Sequence, residues 1–482
     1  MSITAAIRAA DSGLQAAGLR ANVVATNVAN AATPGYVRRS VNLGEVLLGQ
    51  ETVGVRNDGI ARSEDAFLTQ ERQSLSGDLG QANVLASAFQ TLSARLGDTN
   101  DGAGLFSAFS SLETALSNAV LEPESSAQAN VVIDAANAVT SELNSLSDLA
   151  ARQRAEADRE IGTSVEIINT ALQDIADLNV QIASTDRTSN RAAALIDERQ
   201  RALDTVAEFL PIQTANRTAG RIDVFTAEGA VLVAGTAREI EFTPSINFGP
   251  GETIENGDLS GIRVGDTDLT PGSSSFAAIS SGVLGGLFQL RDQELPQFNA
   301  QLDTIAADLV DRFSNDAIDP TKTPGAEGIF VLDPAPTAGN AAGRISVNAA
   351  IDPAQGGDLY RLRDGIGATT EGPPGNSATL SRLFDAFTEV RTIGENGLSG
   401  QFSATDLTAQ FSSIVGQRRI RQDAILNTTS TQFSAVLDAT QRQSGVDVDR
   451  ELQDLIAIEQ AYAANARVIQ VADDLLSRLL EI

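Results

Sequence analysis

Any catalysis by this chain would have to use carboxylates, hydroxyls, arginines or one lysine, because the sequence contains no cysteine and no histidine. Without thiol or imidazole, the usual zinc sites, cysteine nucleophiles and Ser-His-Asp triads are excluded. Two close acidic pairs remain, Asp266-Thr267-Asp268 and Asp447-Val448-Asp449. Neither continues into the glycine and distal glutamate of a calcium loop, so both read as turn or helix-cap acids. The lysine, Lys322, stands in Thr321-Lys322-Thr323-Pro324-Gly325 without the flanking residues of a Ser-Lys dyad. A glycosidase can use any two suitably spaced carboxylates, and no such pair stands out. The expectation is a non-enzymatic chain with no metal and no cofactor.

The spacing that does stand out belongs to assembly rather than catalysis. Near the end of the chain, Leu455, Ile458, Tyr462, Asn465, Ile469, Ala472, Leu476 and Leu479 alternate by three and four, the seam of a coiled coil. The beginning repeats the device with Ile3, Ile7, Ala10, Leu14, Ala17, Ala21, Val24 and Val28. Side-chain charge is opposite at the two ends: four arginines against one aspartate in residues 1–40, and four arginines against eight acids in residues 441–482. Exposed pairs are each worth only about 0 to 1 kcal/mol, so charge steers the pairing without powering it. Asn465 occupies a seam position, where a buried polar residue selects one alignment. Asn22, Asn27 and Asn30 are open candidates for the same role. The first seam is rich in alanine, and two such helices are expected to be marginal alone and to finish ordering against neighbouring copies.

Between the ends the chain reads as helix, β insertion, helix. The first helix, over residues 2–32, stops sharply at Thr33-Pro34-Gly35-Tyr36, where proline disfavours a helical predecessor and glycine permits a left-handed turn. Residues 40–62 read as a short extended connection. Helices are expected over 63–97, 104–121, 125–184 and 192–210. The third would be roughly 90 Å long at 1.5 Å per residue, a rod. Its seam runs through Ile161, Val165, Ile168, Leu172, Ile175 and Ile182, with Asn179 in the remaining place. After Pro211, short Val- and Ile-rich runs broken by Gly and Pro turns predict a β domain that Gly285-Gly286 closes. Helix follows over 288–318, then two short strands near 329–332 and 345–347 in a Gly/Pro-rich stretch, then helices over 379–391 and 407–442. The fold class is mainly α with an inserted β domain, elongated and multi-domain, with paired terminal coiled-coil helices and a long central helical bundle. The expected units are residues 1–61 with 443–482 for assembly, 62–210 with 290–318 and 378–442 for the bundle, 211–289 for the β insertion, and 319–377 for the Gly/Pro-rich segment.

Composition agrees with a large folded chain. It has 482 residues, 42% hydrophobic, and a formal net charge of -29, which repels nucleic acid and anionic membrane surfaces. No stretch approaches the roughly 18 apolar residues of a membrane span, and the beginning lacks the apolar core of a cleaved secretory signal. The absence of cysteine suits a chain that crosses a membrane unfolded.

Two motifs carry a family resemblance. Ala29-Asn30-Ala31-Ala32-Thr33-Pro34-Gly35-Tyr36-Val37-Arg38-Arg39 resembles the N-terminal signature of bacterial flagellar axial proteins of rod, hook and hook-filament junction. Glu459-Gln460-Ala461-Tyr462-Ala463-Ala464-Asn465-Ala466-Arg467-Val468-Ile469-Gln470 resembles the C-terminal signature of the same family. Residues 177–182 and 195–203 are similar to the internal region of a hook-filament junction member. The family's Tyr-Ser-Arg-Gln is here Tyr36-Val37-Arg38-Arg39, a small departure. The resemblance implies a structural subunit, exported unfolded through the flagellar type III apparatus without a cleaved signal, and located outside the cell. It further implies a ring of copies with hook protein on one side and a second junction protein and filament on the other. A cytoplasmic export chaperone would hold the C-terminal helix. The implied assembly residues are Ile3, Ile7, Leu14, Val24, Val28, Asn30, Thr33, Pro34, Gly35, Tyr36 and Arg38 at one end. At the other they are Leu455, Ile458, Tyr462, Asn465, Ile469, Leu476 and Leu479. Alternatives are a second junction protein, a hook subunit, or a secreted coiled-coil adhesin.

Overall fold

A computed structural model describes residues 3–48, 51–97, 102–245, 249, 251–333 and 339–480 of the chain. Helix α1 (Ile3–Ala29) leads into an antiparallel hairpin of β1 (Arg39–Leu48) and β2 (Glu51–Arg62). Asp65 caps α2 (Ala66–Leu96) by accepting from the amides of Phe67 and Leu68, satisfying donors that a helix start leaves free. After α3 (Gly104–Leu121), Ser125 caps α4 (Ser126–Ser184) by accepting from Gln128, and Ser189 caps α5 (Asn190–Phe209) by accepting from Ala192.

The β insertion consists of two small antiparallel sheets. One has the order β3 (Ile212–Asn216), β4 (Ile222–Thr226), β5 (Val231–Ala234), β6 (Thr236–Ala237). The other contains β7 (Ile240–Glu241), β8 (Arg263–Val264) and β9 (Thr267–Asp268). The chain returns through α6 (Gly282–Gln289), a π-helical turn at Leu290–Glu294, and α7 (Leu295–Ser314). Strands β10 (Phe330–Leu332) and β11 (Ile345–Val347) pair, followed by α8 (Tyr360–Asp364) and α9 (Ala378–Thr388). A hairpin of β12 (Arg391–Glu395) and β13 (Leu398–Phe402) precedes α10 (Ala404–Ser444) and α11 (Val448–Leu480).

The core is divided unequally. One contiguous buried cluster runs from Leu85 in α2 through α3, α4, the β insertion and α7 to Val415 in α10. A separate small cluster of Ala17, Val24 and Ile458 joins α1 to α11. The terminal helices are therefore a unit with its own interior. The central rod is present, and Ile161, Val165, Ile168, Leu172, Ile175 and Ile182 are all buried on it. They do not face one partner helix as a coiled coil would. Helix α4 instead packs on α3, α5, α7 and the insertion's strands. Asn179 is buried among them because its side chain completes the backbone of β4: Nδ2 donates to the Ile222 carbonyl at 2.8 Å and Oδ1 accepts from the Ile222 amide at 3.1 Å.

Three expectations need correction. Residues 40–62 are extended, as expected, but form a paired hairpin with two bulges rather than a short connection. Gly285-Gly286 does not end the β insertion; both glycines lie inside α6, which begins at Gly282. A side chain at Gly286 would stand 3.1 Å from the Gln81 backbone, so the absent Cβ permits close approach of α6 to α2. The helix expected over 379–391 ends at Thr388, and Arg391 instead opens the β12–β13 hairpin.

Arginine side chains lock the insertion to the bundle. Arg291, fully buried at the π-helical turn, pairs with Asp158 of α4 at 2.6 Å and stacks over Phe288 at 4.6 Å. Arg154 of α4 donates to the Arg291 carbonyl at 2.8 Å. Removing one partner of such a pair strands the other charge in the interior, which costs about 3–5 kcal/mol. Arg291→Met is expected to lower unfolding stability by about that amount in urea denaturation. Arg291→Met with Asp158→Leu should recover part of it, because Asp158 is no longer stranded, whereas Asp292, which also pairs with Arg291 at 2.8 Å, is partly open to water.

Candidate assembly site

Helix α11 runs antiparallel to α1 and packs on it more extensively than on any other element. The antiparallel sense follows from the contacts: Asn27 meets Glu451, Gly13 meets Asn465, and Ala6 lies beside Ala472. On α1 the buried seam residues are Ala10, Ala17 and Val24, spaced by seven, while Ile3, Ile7, Leu14, Ala21 and Val28 are half-buried beside them. On α11, Ile458 and Ala472 are buried, and Asn465 and Ile469 are half-buried.

Not every predicted seam residue turns inward. Leu455, Tyr462 and Leu476 are 38, 51 and 38% exposed, and the side chain of Leu479 lies outside the described residues. The reason is geometric. A single facing helix of small residues covers only one half of a heptad seam, and the other half stays open. Asn465 also departs from its expected role, because its amide donates to the Ala461 carbonyl of its own helix at 3.0 Å. Its contact with α1 is steric: a Cβ at Gly13 would come within 2.9 Å of the Asn465 side chain.

The polar link between the two ends sits at Asn27, which is fully buried. Its Nδ2 donates to the Arg39 carbonyl at 2.9 Å and to Glu451 Oε2 at 3.0 Å. Its Oδ1 accepts from the Tyr36 hydroxyl at 2.8 Å and from the Arg39 amide at 3.1 Å. All four sites of one side chain thus tie α1, the turn after it, the first hairpin and α11. Glu451, also fully buried, accepts through its other oxygen from Arg38 Nε at 2.6 Å, and Arg38 Nη2 reaches Asp454 at 3.3 Å.

The motif residues divide by task. Asn30, Thr33 and Gly35 build the turn: Asn30 Nδ2 donates to the Thr26 carbonyl at 2.9 Å, the Thr33 hydroxyl donates to Asn30 Oδ1, and Gly35 adopts a φ of 75°. Thr33 and Pro34 are exposed, and Gly35 lies against the Arg201 side chain, where a Cβ would come within 2.9 Å. A cleft of about 350 Å³ opens here between the turn, α2, α5 and the end of α10. Arg38 binds through its backbone as well, donating to the Ser444 carbonyl at 2.8 Å and accepting from the Ser63 amide at 2.9 Å. Arg39 turns the other way and pairs with buried Asp197 of α5 at 2.7 Å, an acid that Arg62 of β2 shares at 2.8 Å. The motif is therefore a weld between the terminal unit and the bundle.

Spacing along the chain does not single out Arg62, Asp197 or Glu451, and it gives Asn27 no stronger claim than Asn22 or Asn30. Asn27 offered a signal, a polar residue beside Val23, Val24 and Val28 on the side of α1 that carries the apolar groups. Charge between the ends acts through fewer residues than the totals suggest: Arg38 alone of the first four arginines pairs with α11 among the described residues.

Comparison with known proteins agrees with this division. The family described as Flagella basal body rod protein matches residues 7–36, and Flagellar basal body rod FlgEFG protein C-terminal matches residues 440–482. Flagellar hook-associated protein FlgK helical domain matches residues 89–318 between them. Flagellar hook-associated protein 1 of Bacillus subtilis is 24% identical over 492 residues, covering 95% of this chain and 94% of its own. Its namesake in Salmonella typhimurium is 25% identical over 568 residues, covering 99% of each. A solved flagellar hook junction protein FlgK from Burkholderia pseudomallei aligns with a TM-score of 0.44 at 19% identity, over 55% of this chain and 47% of that one.

Two matched ends that close on each other around a helical body define an axial protein of the bacterial flagellum, a structural subunit. Within that class the chain is similar to flagellar hook-associated protein 1 along nearly its whole length, and residues 89–318 match the FlgK helical domain. As an axial protein it is part of the flagellum outside the cell and assembles with other axial proteins.

Burial holds the Tyr36 hydroxyl above the usual tyrosine range, and nearby Arg39 opposes the shift. A raised folded-state value means the protonated phenol is favoured on folding. Its contribution is fully present below the unfolded value of about 10 and is lost as pH rises through the folded one. Difference absorbance titration of the wild-type chain against Tyr36→Phe should show this phenol ionising above pH 10 and the wild type losing stability over the same range.

Proposed function

We propose that the chain forms the junction between hook and filament as a ring of copies, with hook protein on one side and a second junction protein and the filament on the other. The relatives' names, hook-associated protein 1, support the position along the axis. The observation that carries the polymerising role is the open half of the α11 seam. Leu455, Tyr462 and Leu476 face outward, joined by Leu452, Ile456, Val468, Val471 and Leu475. A groove of about 300 Å³ between α1 and α11, walled by Ile3, Ala6, Val468, Val471, Ala472 and Leu475, continues that surface. So much apolar surface on one helix marks an interaction site.

The same surface suits a cytoplasmic export chaperone before assembly, which would cover it until the subunit leaves the cell. A chain without cysteine passes through an export channel unfolded with no thiols to mispair. Its function is structural rather than enzymatic. Lys322 is committed to Asp316 at 2.5 Å and the Ala326 carbonyl at 2.6 Å.

Because the terminal helices have a core separate from the bundle, removing residues 446–482 should leave a soluble, largely folded protein that no longer joins the hook. Filament subunits would then leak into the medium. Normal swimming by cells carrying only the truncated chain would overturn the proposal. The small buried residues of the α1–α11 seam also imply marginal order before assembly. Amide hydrogen exchange across residues 5–28 should be fast in dilute monomer and slow in the assembled flagellum, and slow exchange in the monomer would count against the idea.

A further inference from the structure

We infer that the Asn27–Glu451 clasp, with Tyr36 and Arg38 as its supports, sets the register in which α1 and α11 pair. The apolar part of the seam is poorly placed to do so. Its buried members are small and recur every seven residues, Ala10, Ala17 and Val24 against Ile458 and Ala472. A displacement of one heptad sets the same kinds of side chain against each other over most of the overlap, so apolar burial discriminates weakly between alignments.

The clasp does not repeat. Asn27 and Glu451 have no exposed surface, and the carboxylate is satisfied only while Asn27 Nδ2 stands 3.0 Å from one oxygen and Arg38 Nε 2.6 Å from the other. Sliding α11 in either direction removes the carboxylate from both donors. It also leaves the Asn27 amide one acceptor short, since its bonds to Arg39 and Tyr36 lie on the α1 side and stay in place. A buried charge stripped of its partners is among the strongest penalties a packed interface can impose, so every alignment but one is rejected. The Asn465 side chain over Gly13, fourteen residues along each helix from the clasp, is compatible with the same alignment but is made of contact alone. Arg38 further ties the chosen register to the body through its backbone bond to Ser444. These are positioning residues. They fix which half of the α11 seam is spent on α1 and which half is presented to other subunits.

The consequence for polymerisation rests on the assembly reading, whereas the test does not, because alignment is read within the isolated chain. The sequence has no cysteine, so engineered pairs report without background. Ala17→Cys with Ile458→Cys probes the observed alignment, in which both positions share one buried cluster. Ala10→Cys with Ile458→Cys probes displacement by one heptad in one direction, and Ala17→Cys with Ala472→Cys probes displacement by two in the other. In the observed alignment Ala472 lies beside Ala6, so positions 17 and 472 are offset by about 16 Å along the axis, beyond disulfide reach.

In the otherwise unchanged chain only the 17/458 disulfide should form. With Asn27→Leu and Glu451→Leu together, which remove the clasp without orphaning a charge, a displaced disulfide should appear and the 17/458 product should fall. Glu451→Gln, which keeps an acceptor for Asn27, should remain in the observed register. Should the double leucine variant fail to fold, Asn27→Ser reads the same three pairs with the apolar seam intact. Exclusive 17/458 cross-linking in a folded variant lacking the clasp would overturn the inference, even if the chain still joins the flagellum. Displaced cross-links would support it, even if the position proposed along the axis proved wrong.

Discussion

A carboxylate with no access to water must be paired, and the terminal unit is built around one that is. Glu451 sits in the first turn of α11, where the helix dipole favours an acid, and receives hydrogen bonds from Asn27 and Arg38. Those two donors come from opposite sides of the Pro34-Gly35 turn, so the turn must have its observed shape for the carboxylate to be satisfied. The turn in turn depends on Asn30, Thr33 and a left-handed Gly35. One polar requirement thus couples the end of α1, the geometry of the motif and the start of α11.

The coupling extends into the body through a second buried acid. Asp197 of α5 takes Arg39 and Arg62, one from each strand of the first hairpin, so the hairpin is held at its base rather than along its length. Farther out the same chemistry recurs without the symmetry. Arg312 donates to carbonyls of Ala386 and Phe402, joining α7 to α9 and the β12–β13 hairpin, and Arg291 ties the insertion to α4. Guanidinium suits these joints because its planar fork of donors can satisfy several carbonyls at once. An arginine-rich, almost lysine-free chain is well supplied with such joints.

This division of labour suits an axial subunit. The large body is closed by an extensive apolar core, while the terminal pair has small buried side chains, a polar clasp and much exposed apolar surface. Rigidity belongs to the part that has finished folding in one molecule. The open seam belongs to the terminal pair, the part proposed to meet other subunits.

The helices were legible in the sequence because apolar periodicity and caps are local: α3 and α4 begin after Ala103 and Ser125, near where spacing and Ser/Gly signals place them. The pairing of the ends was legible for the same reason, since both seams are written within single helices, and the turn at Thr33-Pro34-Gly35-Tyr36 follows from backbone sterics. Which seam residues are spent was not. Leu455 and Ile458 have equal claims by spacing, and only the position of α1 buries one and exposes the other. Nor could local pattern show that Asn27 rather than Asn465 carries the polar link, or that Arg38 and Arg39, adjacent in the chain, serve acids 254 residues apart at Glu451 and Asp197. The sequence by itself determined the helices, the turn and the matching character of the two ends, because those depend on neighbours along the chain. Tertiary structure alone decided which polar groups lose water and therefore must find one another.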